Sequence, residues 1–267
     1  MKNKLVIVTG ASSGIGKACA IMFAKKGANI VLAARSEEKL KEVALEISGF
    51  GVQVLIVATD VSIEEDCRNL IETTLTKFGR IDVLVNNAGI SMRAAFTDLD
   101  VNVLKNVMNV NFWGMIYCTR YAIGSILENK GSVVGVSSIA GYKGLPGRTG
   151  YSSSKFAMHG FLEALRIENL KKGLHVLIAC PGFTASNIRN TALAADGSSQ
   201  GETPREEQKM MQPEEVAEYI VDAVIKRKDR LTLTFNGKLT VLLNKFFPKL
   251  VDKLVYNHMS KEPDSPF

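Results

Sequence analysis

The chain has 267 residues, 46% hydrophobic and 22% charged, with a formal net charge of +6. That is the composition of an ordinary globular protein, long enough for one large core or two modest ones. Four scattered cysteines without a CxxC pair and three histidines without metal-site spacing argue against a zinc centre. The charge is uneven: residues 226–261 hold nine Lys/Arg against Asp229 and Asp252, leaving the rest nearly neutral.

The chain opens with "MKNKLVIVTG", whose short apolar run suits a strand and falls short of a signal core or membrane span. No later run reaches spanning length, so the expected setting is reducing and cytoplasmic. After this first strand, "TGASSGIGKA" places glycines at 10, 14 and 16 before an amphipathic helix. Gly10 suits a tight turn, Gly14 a close approach of backbone to a pyrophosphate, and Gly16 close helix packing. The spacing differs from the G-x-G-x-x-G fingerprint of dinucleotide sites.

The second strand, "ANIVLAA", runs into "RSEEKL". A protein selective for NAD wants a carboxylate here for the ribose 2′-OH, whereas Arg35 suits a 2′-phosphate. The expected cofactor is NADP(H), with Arg35 and Ser12, Ser13 or Ser36 as phosphate ligands. Further strands follow in "VQVLIVAT", "IDVLVN", "GSVVGVSS", "LHVLIAC" and "RLTLTF". Their apolar runs lack strict alternation, as in parallel strands buried on both faces. Seven strands with helical crossovers predict a single doubly wound α/β domain over 1–236. A polar loop at 193–208, within a lid spanning 184–212, breaks the pattern near the end.

"YSSSK" sets Tyr151 and Lys155 on one helical face. An ammonium beside a phenol favours the phenolate and lowers a pKa that ordinarily lies near 10. His159, two turns on, reads as a packing residue. Beyond the core, "GKLTVLLNKFFPKLVDKLVYNHM" places leucines and phenylalanines on one side and lysines on the other, interrupted by Pro248. This 237–267 extension is expected to pack on the body or a partner subunit, or to contact a membrane peripherally through 237–256. Nucleic-acid binding is not expected, because no recognised module accompanies the charge.

The ordered set "TGASSGIG", "TDV", "NNAG", "NVN", "SS", "YSSSK" and "PG" resembles the short-chain dehydrogenase/reductase family. "NNAGISMRAAF" and "SSIAGYKGLPGRTGYSSSK" are similar to its branch containing 11β-hydroxysteroid dehydrogenase type 1. The resemblance runs from about Lys4 to Phe235 and implies a Rossmann fold. It implies catalytic roles for Asn111, Ser138, Tyr151 and Lys155, with Tyr151 as general acid/base. It implies that Asp60 and Val61 meet the adenine, that Asn86 and its neighbours, Ala88 among them, line the adenosine side, and that Ile15 also contacts the cofactor. Pro181, Gly182, Thr184 and Ser186 would bracket the nicotinamide.

Met92, Arg93, Tyr142, Leu145, Phe183 and the 193–212 segment would meet a lipophilic ketone, with a surface role as the alternative for Arg93, and dimers or tetramers would form through 98–129 and 150–171. A 3-oxoacyl carrier-protein reductase and a non-catalytic dinucleotide sensor remain alternative readings.

Overall fold

The computed structural model describes residues 1–201 and 210–267. Seven strands form one parallel sheet: β1 (Leu5–Thr9), β2 (Asn29–Ala34), β3 (Val54–Ala58), β4 (Val83–Asn86), β5 (Ser132–Val136), β6 (His175–Cys180) and β7 (Arg230–Thr232). Their order is β3-β2-β1-β4-β5-β6-β7. The sheet therefore grows outward in both directions from the β1–β4 pair. At that switch the connections leave toward opposite sides, opening a crevice beyond the strands' carboxyl ends.

Alternate side chains of each strand feed two separate cores. Val6 and Val8 point into a core closed by α1 (Gly14–Lys25), α2 (Glu37–Ile47) and α7 (Pro213–Ile225). Leu5 and Ile7 point the other way, toward α3 (Glu64–Phe78), α5 (Gly114–Glu128) and α6 (Thr149–Glu168). This burial on both faces explains the apolar runs of the five inner strands, while the edge strands β3 and β7 are only partly buried. A smaller cluster of Met92, Ala94, Leu99, Val103 and Val107 joins α4 (Val101–Met108) to the loop after β4.

The start of β1 is gripped by Asp82, which accepts from the Leu5 amide at 2.9 Å, Lys4 Nζ at 2.9 Å and Arg80 at 2.6 Å. Burial works to raise the Asp82 carboxyl, yet these hydrogen bonds hold it below its ordinary value. All four cysteines are free and buried, the state expected of reduced thiols in apolar surroundings.

All seven sequence-expected strands are present, but the last is cut short. Thr234 adopts φ 62° and its hydroxyl accepts from the Gly237 amide, so "RLTLTF" ends after Thr232 and becomes a helix cap. The extension is then two helices, α8 (Phe235–Phe246) and α9 (Pro248–Met259), with Pro248 in the first turn of the second. Of the expected 193–208 loop, residues 193–201 include bridges from Leu193 to Met92 and Ser199. Residues 202–209, and with them part of the expected 184–212 lid, lie outside the described residues.

The turn between β1 and α1 is packed to the limit of glycine. A Cβ on Gly16 would stand 2.2 Å from the Gly10 carbonyl oxygen, whereas one on Gly49 would meet nothing within 4 Å. Gly16→Ala is expected to cost about 1–3 kcal/mol by overpacking, with Gly49→Ala near neutral or stabilising. Chemical denaturation of both variants checks this; equal effects would remove the steric account.

Candidate active site

The crevice is floored by the glycine turn. Gly10 takes φ +64°, and its would-be Cβ lies 2.9 Å from Ala88 Cα, so the turn rests on the loop after β4. Asn87 ties the two together, donating to the Thr9 and Gly10 carbonyls at 3.0 and 3.3 Å. Ser13 precedes α1 in extended conformation without a side-chain capping bond. The first amides of α1 therefore have no side-chain cap, and they carry the positive end of the helix dipole. A Cβ on Gly14 would meet only Ser186 across the crevice, at an ordinary 3.5 Å, so it is the φ of +53° that favours glycine there. A cradle of uncapped amides with a bare glycine suits a pyrophosphate. Ser12 is half-buried in this turn, and Ile15 lines the catalytic pocket.

At the end of β2, Arg35 is exposed and has no carboxylate neighbour in an ion pair among the described residues. Ser36 caps α2, its hydroxyl accepting from the Lys39 amide at 3.4 Å. Asp60 accepts from the Ser62 amide and hydroxyl at 3.0 and 2.7 Å, shaping the turn after β3. Val61 is buried against Gly114. Asn86 points into the protein and donates to Thr119 at 3.2 Å, while its neighbour Asn87 lines the pocket. Of the adenosine-side set, Asn86 is thus part of the packing.

Tyr151 and Lys155 face one pocket of about 150 Å³, lined also by Ser137, Ser138, Leu145, Pro181, Gly182, Phe183, Thr184 and Ser186. Two neighbouring turns position α6. Asn111 sits in a π-turn spanning Asn109–Trp113, between α4 and α5. Its amide oxygen accepts from the Ile90 amide at 2.8 Å, and its Nδ2 donates to Ile90 O at 2.9 Å and Ser154 Oγ at 3.0 Å. One buried side chain therefore locks the loop after β4 to the helix bearing Tyr151. Such a π-turn is a frequent mark of functional sites. Ser138 begins the turn after β5, its hydroxyl accepting from the Ala140 amide at 3.2 Å.

The electrostatics differ from the sequence expectation. Lys155 Nζ donates to Val136 O at 3.0 Å and stands 5.6 Å from the Tyr151 ring centroid. Burial pushes its ammonium down from 10.5 to about 8. Burial likewise raises the Tyr151 phenol, opposed by a hydrogen bond with Ser138 and by the charges of Arg148 and Arg189. Lys155 is not among the groups that lower it. The physical reason is burial: it brings the lysine down to about 8, so the amine has lost its charge by the pH at which the raised phenol ionises.

Two residues that no local sequence pattern singles out complete the wall. Arg148 and Arg189 both line the pocket. Arg189 donates to Thr184 O at 2.9 Å, organising the loop after β6. Arg148 bonds Glu262 Oε2 at 2.9 Å, and Arg93 lies 3.7 Å from the same carboxylate. Arg93, expected near substrate, is thus engaged by the C-terminal tail, and Met92 is fully buried. No local pattern marks Arg148 or Glu262, which lie 114 residues apart. Leu145 and Phe183 line the pocket as expected, and Leu145 also walls a cleft of about 870 Å³ with Pro146, Phe156, Val255 and Tyr256.

Behind Lys155, His159 Nε2 is 2.8 Å from Ser137 Oγ and 3.6 Å from Cys180 Sγ, and its ring meets Tyr142 edge-on at 4.6 Å. This is the packing histidine the spacing suggested.

Comparisons with known proteins agree with the geometry. The family model for short chain dehydrogenases matches residues 4–196. The mouse dehydrogenase/reductase SDR family member 7B is 34% identical over 271 residues, covering 99% of this chain and 84% of that protein. The Arabidopsis thaliana 11-beta-hydroxysteroid dehydrogenase-like 4A is 40% identical over 198 residues, covering 73% of this chain and 66% of that protein. Among solved structures, an alcohol dehydrogenase from the archaeon Thermococcus sibiricus, complexed with 5-hydroxy-NADP, superposes with a TM-score of 0.76. It is 26% identical and covers 86% of this chain and 94% of that one.

Burial lowers the His159 imidazole from 6.5 to about 4, helped by the charges of Arg230 and Lys155. Between those values the unfolded chain binds the extra proton, so stability falls as pH drops from 6.5 toward 4. The His159-dependent loss is at most about 3 kcal/mol. Unfolding of wild type and His159→Gln across that window measures it; parallel curves would show that the ring is not held neutral.

Proposed function

The chain belongs to the short-chain dehydrogenase family, a family of oxidoreductases, and we propose that it is an NADP(H)-dependent reductase of lipophilic ketones, reversible toward the secondary alcohols. The observation that carries this reading is the convergence of Ser138, Tyr151 and Lys155 on one pocket beside an uncapped glycine turn.

When bound, the nicotinamide supplies or accepts the hydride at the substrate carbon. The remaining work falls to this chain's residues. The first amides of α1, with Gly14 bare, hold the pyrophosphate. Arg35, exposed at the end of β2, would hold the 2′-phosphate and supply the charge that balances it. Ser138 donates to the substrate oxygen and steadies the charge that grows there. Tyr151 gives its phenolic proton to that oxygen in reduction and takes it back in oxidation.

A phenol raised by burial stays protonated at neutral pH, the state reduction needs. Lys155 orders the nicotinamide ribose, and its lowered pKa lets it exchange protons near neutrality. Asn111 fixes α6 against the loop after β4, keeping Tyr151 at its station. The apolar walls supplied by Leu145, Phe183 and the adjoining cleft favour a lipophilic substrate.

Tyr151→Phe is expected to lower turnover about 10²- to 10⁴-fold while leaving NADPH affinity within about threefold. Loss of NADPH absorbance with a carbonyl panel, beside fluorescence titration of the cofactor, measures both; undiminished turnover would end the assignment. Arg35→Glu removes the phosphate clamp and offers a ribose acceptor. The NADPH-over-NADH preference in kcat/KM should then fall about 10- to 100-fold. A wild type using NADH equally well would overturn the cofactor choice.

A further inference from the structure

The C-terminal helices turn their apolar side away from the protein. α8 buries only Gly237, and α9 buries only Val251 and Met259. Specific polar contacts help fix their orientation. Asn244 Nδ2 donates to Tyr142 O at 3.1 Å, and Lys143 pairs with Asp252 at 2.5 Å. Phe235, Leu242, Phe246, Phe247, Leu250 and Leu254 are each between 50% and 78% exposed. At 100° per residue, Phe235, Leu239, Leu242 and Phe246 fall on one stripe of α8. A cluster of this kind on a water-facing surface marks a contact site.

The charges around it select the partner. Lys238, Lys245, Lys249 and Lys253 are all exposed on the same two helices, and the only carboxylate there, Asp252, is paired with Lys143. A second copy of the chain would set lysines against lysines across the apolar stripe. An acidic surface with an apolar interior satisfies both halves of the pattern. Lysine stems follow the apolar stripe while their ammonium groups reach phosphate level. Among the described residues, no helix is long and apolar enough to cross a membrane. The geometry of a lying amphipathic pair is that of an interfacial anchor.

We propose that α8 and α9 dock this protein onto the surface of an anionic lipid bilayer, with Phe235, Leu242, Phe246 and Leu250 inserted and the four lysines at the headgroups. This docking does not rest on the hydride chemistry proposed above.

Full-length protein is sedimented with phosphatidylcholine vesicles containing or lacking phosphatidylserine. Wild type is expected to bind the acidic vesicles at least about tenfold more tightly than the neutral ones, and added salt should weaken the binding. Leu242→Asp/Phe246→Asp should lose binding to both, and Lys245→Glu/Lys249→Glu should lose the preference for acidic lipid. Because the substituted side chains are exposed, thermal midpoints and reductase activity on a soluble carbonyl should match wild type. Absence of vesicle binding by well-folded wild type would overturn the proposal. So would concentration-dependent self-association that the same aspartates abolish while lipid binding is absent or unchanged.

Discussion

Lys155 is only 3% exposed, its ammonium held on the Val136 carbonyl at the end of a central strand. An ammonium in such a place is costly, and burial alone pulls its pKa to about 8. The cost is offset in part by the Val136 carbonyl and the Met158 sulfur, which accept from the ammonium at 3.0 and 3.5 Å. The arrangement of the site follows from that one buried cation. Tyr151 lies one helical turn before it, and Ser138 begins the turn just past the strand it is bonded to. The pocket they share opens at the switch between β1 and β4.

Around the cation, precision comes from groups that do not titrate. Asn111 satisfies both polar atoms of Ile90 and reaches Ser154 with the same amide. Asn87 closes the glycine turn onto the same loop. His159, held neutral by burial, supports Ser137 and Cys180 from behind. Neutral donors and acceptors fix geometry without adding to the desolvation already present. The phenol's own field comes from farther away: Arg148 and Arg189 oppose the effect of burial, and Arg148 is steadied by Glu262 at the far end of the chain.

The C-terminal extension therefore belongs to two regions at once. Its final residues reach back to the catalytic pocket through Glu262, while α8 and α9 present phenylalanine and leucine to the outside. The same segment that braces Arg148 at the pocket also carries exposed phenylalanines and leucines beside a run of lysines.

What the sequence determined by itself is local. Apolar runs marked the strands, most plainly the five inner ones, because parallel strands buried on both faces need apolar side chains at successive positions. Glycine spacing marked the turn, because the backbone can take φ +64° beside Ala88 only without a Cβ. Four-residue spacing put Tyr151 and Lys155 on one face of a helix, but it left open where the ammonium points. Tertiary packing alone decided that it turns to Val136, that Asn87 and not Asn86 faces the pocket, and that Arg148 meets Glu262 across 114 residues. Periodicity reports which side of an element is apolar; the direction of a charge depends on partners brought from elsewhere in the chain, and short-range pattern carries no trace of them.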